Sequence, residues 1–410
     1  MKKYKFIGFS FLMMLSLGVF SSCGEQGPIG PQGEQGIQGS QGEQGLSAYE
    51  IFLKYYPEYE GTEKDWITDV AMGNTCNLFG HEWDGIITTW PTKSNEGEKI
   101  YTCANCNGHK NKVLPKIEDG EIYEIDGVKY VNYGSYPQTH VGDATLVTEL
   151  NKLTTTNSRG YYEYEDNEYA KVTANPDHYG NPHYYTYSDG STINIDVVEW
   201  FIVEPIIWRI ISENTDGSYQ LFSEYILDAT SYCDYKYDRK INEEDIYQNN
   251  YKYSNIRAWL NGYNGTDYKI TDYTNKGFYN LAFKDNEKGA IITKEVDNSA
   301  STTDQSTNIY ACENTTDKIY LLSIQDIHNK DYGIINSESR FAKVTDYAKA
   351  VGADWGISPE HLDNGEYWLR SPYEGYSNYA GDVSKDGFIC YLYVDYTHHG
   401  VRVACNIYLE

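Results

Sequence analysis

The sequence predicts an α+β protein in which residues 117–410 form a mixed antiparallel sheet with short helices. Three observations carry that expectation. Glu121-Ile-Tyr-Glu-Ile125 and Val128-Lys-Tyr-Val131 flank Asp126-Gly127, a dipeptide suited to a two-residue hairpin turn. The run Val197 to Ile211, the most apolar after the N-terminal segment, is rich in β-branched residues and ends in Ile206-Ile-Trp-Arg-Ile-Ile211. Short capped helices and a strand-rich finish complete the pattern.

Along the chain, the stretch 143–195 is polar and rich in Tyr and Asn, which predicts a long surface excursion. Pro205 is expected to split the apolar run, because proline cannot donate to a strand ladder. Asp216-Gly217 then turns the chain into Tyr219 to Ile226, a strand pairing back on 206–211. Ser254 caps a helix over Asn255 to Asn261 that Gly262 ends, with Ile256, Trp259 and Leu260 on one face. Ser323 and Thr345 open two further short helices, and Gly352 stops the second. The remaining strands are expected at Tyr367 to Pro372, Ala380 to Val383, Gly387 to Val394 and Gly400 to Ile407.

The N-terminal part is organised differently. Lys2, Lys3 and Lys5 precede an apolar run from Phe6 to Phe20, the right length for a signal peptide over 1–22 and short for a bilayer span. Phe20-Ser-Ser-Cys23-Gly24 resembles the bacterial lipobox, although Phe20 stands where Leu is usual. The resemblance implies an exported protein held at a bacterial membrane by lipid on Cys23, its body facing the extracellular side. Removing that signal takes away three lysines and no acids, moving the formal charge from −27 to −30. So negative a surface repels nucleic acid and anionic envelope polymers.

Glycine recurs at every third position from Gly24 to Gly45, a collagen-like period in a spacer over 23–46. With only Pro28 and Pro31 to stiffen it, the segment makes a weak triple helix alone, so a single-chain spacer and a homotrimer stay open. Extended, it would reach roughly 75 Å. Residues 47–74 predict a short helical module, with a helix capped by Thr62 and ended by Gly73. Ser47-Ala-Tyr49 and Gly61-Thr-Glu-Lys-Asp-Trp66 resemble the helical module that closes collagen-like repeats in bacterial and phage surface proteins, which would supply trimer register.

Residues 75–116 hold Cys76, His81, Cys103 and Cys106, the last two as Cys-x-x-Cys. Two thiolates from one turn, joined by a thiol and an imidazole, make a tetrahedral ligand set for structural zinc. In an exported chain the same cysteines could instead pair as Cys103–Cys106 or Cys76–Cys103 disulfides, so both uses stay open. The segment resembles small zinc-ribbon-like modules of bacterial surface proteins; Asn107 replaces their glycine and Lys93 a further cysteine. About 40 residues have too little core to fold unaided, which gives a metal a structural purpose. No organic cofactor is indicated.

Asn132-Tyr-Gly-Ser-Tyr-Pro-Gln138, Glu204-Pro-Ile-Ile-Trp-Arg209, Ser254-Asn-Ile-Arg-Ala-Trp-Leu-Asn261, Tyr367-Trp-Leu-Arg-Ser-Pro372 and Gly400-Val-Arg-Val-Ala404 resemble, in order, the landmarks of a bacterial extracellular domain of unknown function. The closing blocks are also similar, remotely, to the C-type-lectin-like and formylglycine-generating-enzyme-like fold, which pairs an arginine-bearing strand with a terminal Gly-Val-Arg strand. That second resemblance implies architecture only. Cys233 and Cys312 match no cysteine motif of the sulfatase-activating enzymes, and no Trp-Asn-Asp strand of the calcium-dependent lectins is present.

Arg370 and Arg402 sit inside apolar strands and will need carboxylate partners if buried; the alternative is a ligand face beside Trp368. If Val394 pairs with Val401, Cys390 lies opposite Cys405, as a cross-strand disulfide or as packed thiols. His398 and His399, adjacent in a predicted turn, should point apart and form no joint metal site, while Asp382 and Asp386 are expected to cap a Gly-rich turn. The functional expectation is a surface lipoprotein displaying a non-enzymatic recognition domain for an extracellular glycan, peptide or host surface. The alternatives are an enzyme of the formylglycine-generating type and a passive envelope protein. Tyrosine, 42 residues of 410, suits an adaptable binding face, although codon bias alone would also raise it.

Overall fold

The computed structural model describes residues 45–176, 185–263, 272–334 and 336–409. The signal peptide, Cys23 and nearly all of the Gly-x-y spacer therefore lie outside the described residues. The chain divides into two compact units, Met1–His81 and Glu82–Glu410. Among the described residues no helix is long and apolar enough to cross a membrane.

In the smaller unit, Ser47 caps the helix Ala48–Tyr55 with Glu50 reaching back, and Thr62 caps Glu63–Met72 in the same way through Asp65. Gly73 ends the second helix at φ 67°, a left-handed conformation that favours glycine. Tyr49, Phe52, Tyr59 and Trp66 pack edge-on or tilted between these helices, and their rings form the small core of the unit.

The larger unit begins with the antiparallel strands Trp83–Thr89, Gly97–Cys103 and His109–Leu114. Ile87 and Trp90 pack against a cluster of Leu114, Tyr123, Tyr130 and Ile207, so this small sheet shares its core with the strands C-terminal to it. Asn132 Nδ2 donates to the Pro91 carbonyl at 2.8 Å, and Trp90 Nε1 donates to Tyr225 Oη at 2.8 Å.

Among the described residues, nine strands then form the main sheet. Its central path runs Ile291–Ile292, Ala404–Ile407, Tyr219–Ser223, Val198–Glu213, Val128–His140 and Ile122–Ile125. The Asp126-Gly127 turn is as expected, both residues at positive φ (50° and 83°), joining Ile125 to Val128. Pro205 does not split its run. Val198–Glu213 is one strand, and the mismatch is absorbed by register shifts between Asn132 and Ser135 and between Pro137 and His140 on its neighbour. The stretch 143–195 is more than an excursion, since Tyr162–Tyr164 and Asn167–Thr173 form a hairpin that extends the sheet. Trp200 and Tyr169 bury that addition, which the polar residues around them obscure.

A five-stranded sheet lies beside it, ordered Asp228–Ala229, Gly400–Val401, Tyr367–Pro372, Tyr379–Val383 and Ile389–Tyr393. Its one parallel pairing sets Tyr367 against Gly400. The expected strand 400–407 is thus two strands. The chain leaves one sheet after Val401 and enters the other at Ala404, with Arg402 and Val403 buried at the crossing. Helix Asn255–Asn261, capped by Ser254 and closed by Gly262 at φ 64°, buries Ile256 and Leu260 in the core between.

Asp228, at the edge of the smaller sheet, accepts from Tyr136 Oη at 2.5 Å and from the Ala229 amide at 2.7 Å. Burial pushes its carboxyl up to about 6, against the pull of those two donors. The folded state therefore holds this proton more tightly than the unfolded chain. The stability it contributes is full at about pH 4 and is lost as pH rises to about 6, some 3 kcal/mol for a two-unit shift. Urea unfolding of Asp228→Asn at pH 4 and pH 7 should lack that component of the pH dependence; an unchanged difference between the two pH values refutes it.

Candidate functional site

Cys103 ends one strand and is buried; Cys106 follows on an exposed turn. The Asn107 amide donates to the Cys103 carbonyl at 3.1 Å, and Asn107 stands at φ 56°. This is the position where similar modules carry glycine, and asparagine tolerates the left-handed region better than most residues. The Asn105 amide donates to Cys103 Sγ at 3.4 Å. The turn presents two thiols, one buried and one exposed. Cys76 lies in the helix Thr75–Phe79 of the smaller unit, with His81 two residues past its end. Cys103 and Cys106 could contribute to a metal site of the larger unit.

Trp368, Arg370 and Arg402 form no surface, because the structure buries all three. Trp368 Nε1 donates to the Thr230 carbonyl at 2.9 Å. Arg370 has its carboxylate: Nη1 lies 2.6 Å from Asp326 Oδ2, with further bonds to the Leu321 and Asp297 carbonyls. Burial would raise Asp326, but Arg370 and Ser323 hold it below the usual carboxylate range. Arg402 departs from expectation and pairs with no carboxylate among the described residues. Its Nε donates to the Ser223 carbonyl at 2.8 Å, Nη1 reaches the Arg340 carbonyl at 3.2 Å, and the guanidinium lies 4.0 Å over the Phe222 ring. Carbonyls and π-faces replace the anion, and burial lowers its proton affinity.

Cys390 and Cys405 are not opposed. Cys390 is exposed opposite Asp382, Cys405 is buried opposite Leu221 and Ile319, and both thiols are free. The inferred register fails because the chain changes sheets at Arg402. Burial also raises the thiols of Cys233 and Cys312, which keeps them from being activated nucleophiles.

The end of the smaller sheet presents a feature that sequence reasoning missed. Tyr379 pairs with Tyr393, and Tyr391 shares that face, while Tyr373 and Tyr376 come from the adjoining turn. Ring centroids lie 4.2 Å apart for Tyr379 and Tyr393 and 4.3 Å apart for Tyr373 and Tyr391, with Tyr376 at 5.8 Å from Tyr379. Tyr376 is 62% exposed and Tyr393 50% exposed. A hydrogen bond with Tyr393, together with burial, pushes Tyr379 up to about 12, and Tyr391 Oη donates to Asp304. The signal in the sequence was the alternation Tyr391-Leu392-Tyr393, which places two rings on one strand face. A concavity of about 450 Å³ elsewhere in the larger unit is lined by Trp90, Tyr225, Glu204, Asp346, Lys349 and Asp363, among others. Its polar groups are largely engaged with one another, as in the 2.7 Å pair Lys349–Asp363.

Residues 216–409 match a family described as a domain of unknown function (DUF6273). Curated proteins and solved structures give no match.

Proposed function

We propose that this chain is an exported, lipid-anchored surface protein whose larger unit is a recognition module, with the tyrosine cluster around Tyr379 as its binding face for a glycan. The observation that carries the reading is the five-ring cluster, in which two members are at least half exposed. Exposed rings stack on the apolar faces of sugars, while their hydroxyls meet the sugar hydroxyls. The leader, Cys23 and the Gly-x-y spacer support display from a membrane, and the acidic charge keeps such a body solvated. Kinship with the C-type-lectin-like fold rests on the adjacency of the Arg370 strand to the strand Gly400–Val401, which Arg402 follows. Structural zinc bound through Cys103 and Cys106 would stiffen the start of the larger unit; its support is the Cys-x-x-Cys pair and the turn that carries it.

A glycan array probed with the secreted chain tests the reading. Tyr376→Ala with Tyr393→Ala should weaken any hit by roughly tenfold or more, the loss expected for two aromatic contacts of ~0.5–1.5 kcal/mol each. Silence across the array, or hits indifferent to both changes, sinks it. Palmitate labelling that persists in Cys23→Ala would refute the anchor.

A further inference from the structure

The face of the smaller sheet opposite the tyrosines carries a group of side chains separate from both the ring cluster and the cysteine knuckle. Asp382 is not a turn cap: it lies within the strand Tyr379–Val383, opposite Trp368 on one side and Cys390 on the other, and is 3% exposed. His399 precedes the strand Gly400–Val401 and is fully buried, its ring centroid 4.3 Å from that of Trp368. His398 and His399 differ in burial, and it is His399 that turns inward onto two carboxylates. Its Nε2 is 3.6 Å from Asp382 Oδ2 and its Nδ1 is 3.9 Å from Glu366 Oε2.

These distances are too long for hydrogen bonds. Both ring nitrogens of His399 and Oδ1 of Asp382 are buried without a hydrogen-bond partner among the described residues. Leaving such groups unsatisfied costs about 1–3 kcal/mol each, so Asp382 and one ring nitrogen of His399 call for a ligand. Glu366, with its side chain 21% exposed, gives the group a side toward solvent.

We propose that Glu366, Asp382 and His399 form a divalent transition-metal site buried within the larger unit. One donor atom from each lies within 4.8 Å of the others. Bonds of ~2.0–2.2 Å would draw such atoms to roughly 3.3–3.6 Å, a contraction that small side-chain rotations supply. One imidazole nitrogen with two carboxylate oxygens suits zinc, iron or manganese better than calcium or magnesium, which prefer oxygen alone. Three protein ligands leave at least one coordination position for water or an exogenous group. The electrostatics agree: burial and the nearby Glu366 charge raise Asp382 to about 8, and burial lowers His399 to about 3. A cation would neutralise the carboxylates and take the imidazole in its neutral form.

Cobalt(II) titration of the chelator-treated full chain tests the site, because cobalt reports its donors by colour. In a Cys103→Ser, Cys106→Ser background the chain should still bind one equivalent of cobalt, with no thiolate charge-transfer band. His399→Gln on that background should abolish it. Glu366→Gln, at a half-buried position that tolerates the change, should weaken binding at least ~10–100-fold, the loss seen even for outer-shell partners. Circular dichroism establishes that each variant is folded; if His399→Gln is not, Glu366→Gln alone decides. No binding in the Cys103→Ser, Cys106→Ser background, a thiolate band there, or affinity unchanged by Glu366→Gln overturns the proposal. None of these outcomes bears on glycan binding by the opposite face.

Discussion

Asp326→Ala should lower the unfolding free energy by about 3 kcal/mol, read as a shift of the urea midpoint at pH 7. Removing one partner of a buried ion pair costs ~3–5 kcal/mol, because the other is left charged without compensation. Here Arg370 is the stranded partner, its side chain 6% exposed. The lower end of the range applies because Asp326 keeps 22% of its side-chain surface in water. The same carboxylate also closes the capping box of the helix Ile324–His328 by accepting from the Ser323 amide at 2.8 Å. Since Asp326 is held below the usual carboxylate range, this contribution is present at neutral pH and is lost as pH falls through its folded value. Arg402→Met should cost less than Arg370→Ala, since it strands carbonyls and no charge. Equal losses from the two arginine variants would refute this division.

Trp208→Ala should cost about 3–5 kcal/mol, the range for deleting a buried large aromatic. Trp208 is fully buried in the middle of the long strand Val198–Glu213, opposite Val131 on one neighbour and Ser223 on the other. Its ring stacks near Phe283 at 6.4 Å, and its Nε1 donates to the Tyr133 carbonyl at 2.8 Å. Alanine leaves both a cavity and an unpaired carbonyl. Trp208→Phe fills most of the space and should recover more than half of the loss. If both variants unfold at the same urea concentration, packing is not what Trp208 supplies.

The local features of this fold were legible because their causes are local. Asp126-Gly127 fixes its hairpin by backbone conformation, and Ser254 and Gly262 bracket a helix through capping alone. What escaped depends on where distant strands meet. Pro205 reads as a break until its neighbour is known to shift register beside it. Cys390 and Cys405 read as partners until the chain is seen to change sheets at Arg402. His399 read as half of an adjacent pair in a turn, and its companions Glu366 and Asp382 lie on two other segments that only the sheet brings near. The tyrosine face was hidden differently: with 42 tyrosines in the chain, five that converge cannot be told from the rest by composition.

The crossing at Arg402 has a kinetic meaning. Ala404–Ile407 lies inside the main sheet, hydrogen-bonded to Tyr219–Ser223 on one side and Ile291–Ile292 on the other. The Phe222–Ala404 pairing joins residues far apart in sequence, so loop closure makes it slow, and it cannot begin until residue 404 has been synthesised. Until then two strand edges stand open to any passing chain. Completion of this sheet therefore waits on residues 404–407, and a chain that lacks them leaves the edges of Tyr219–Ser223 and Ile291–Ile292 open.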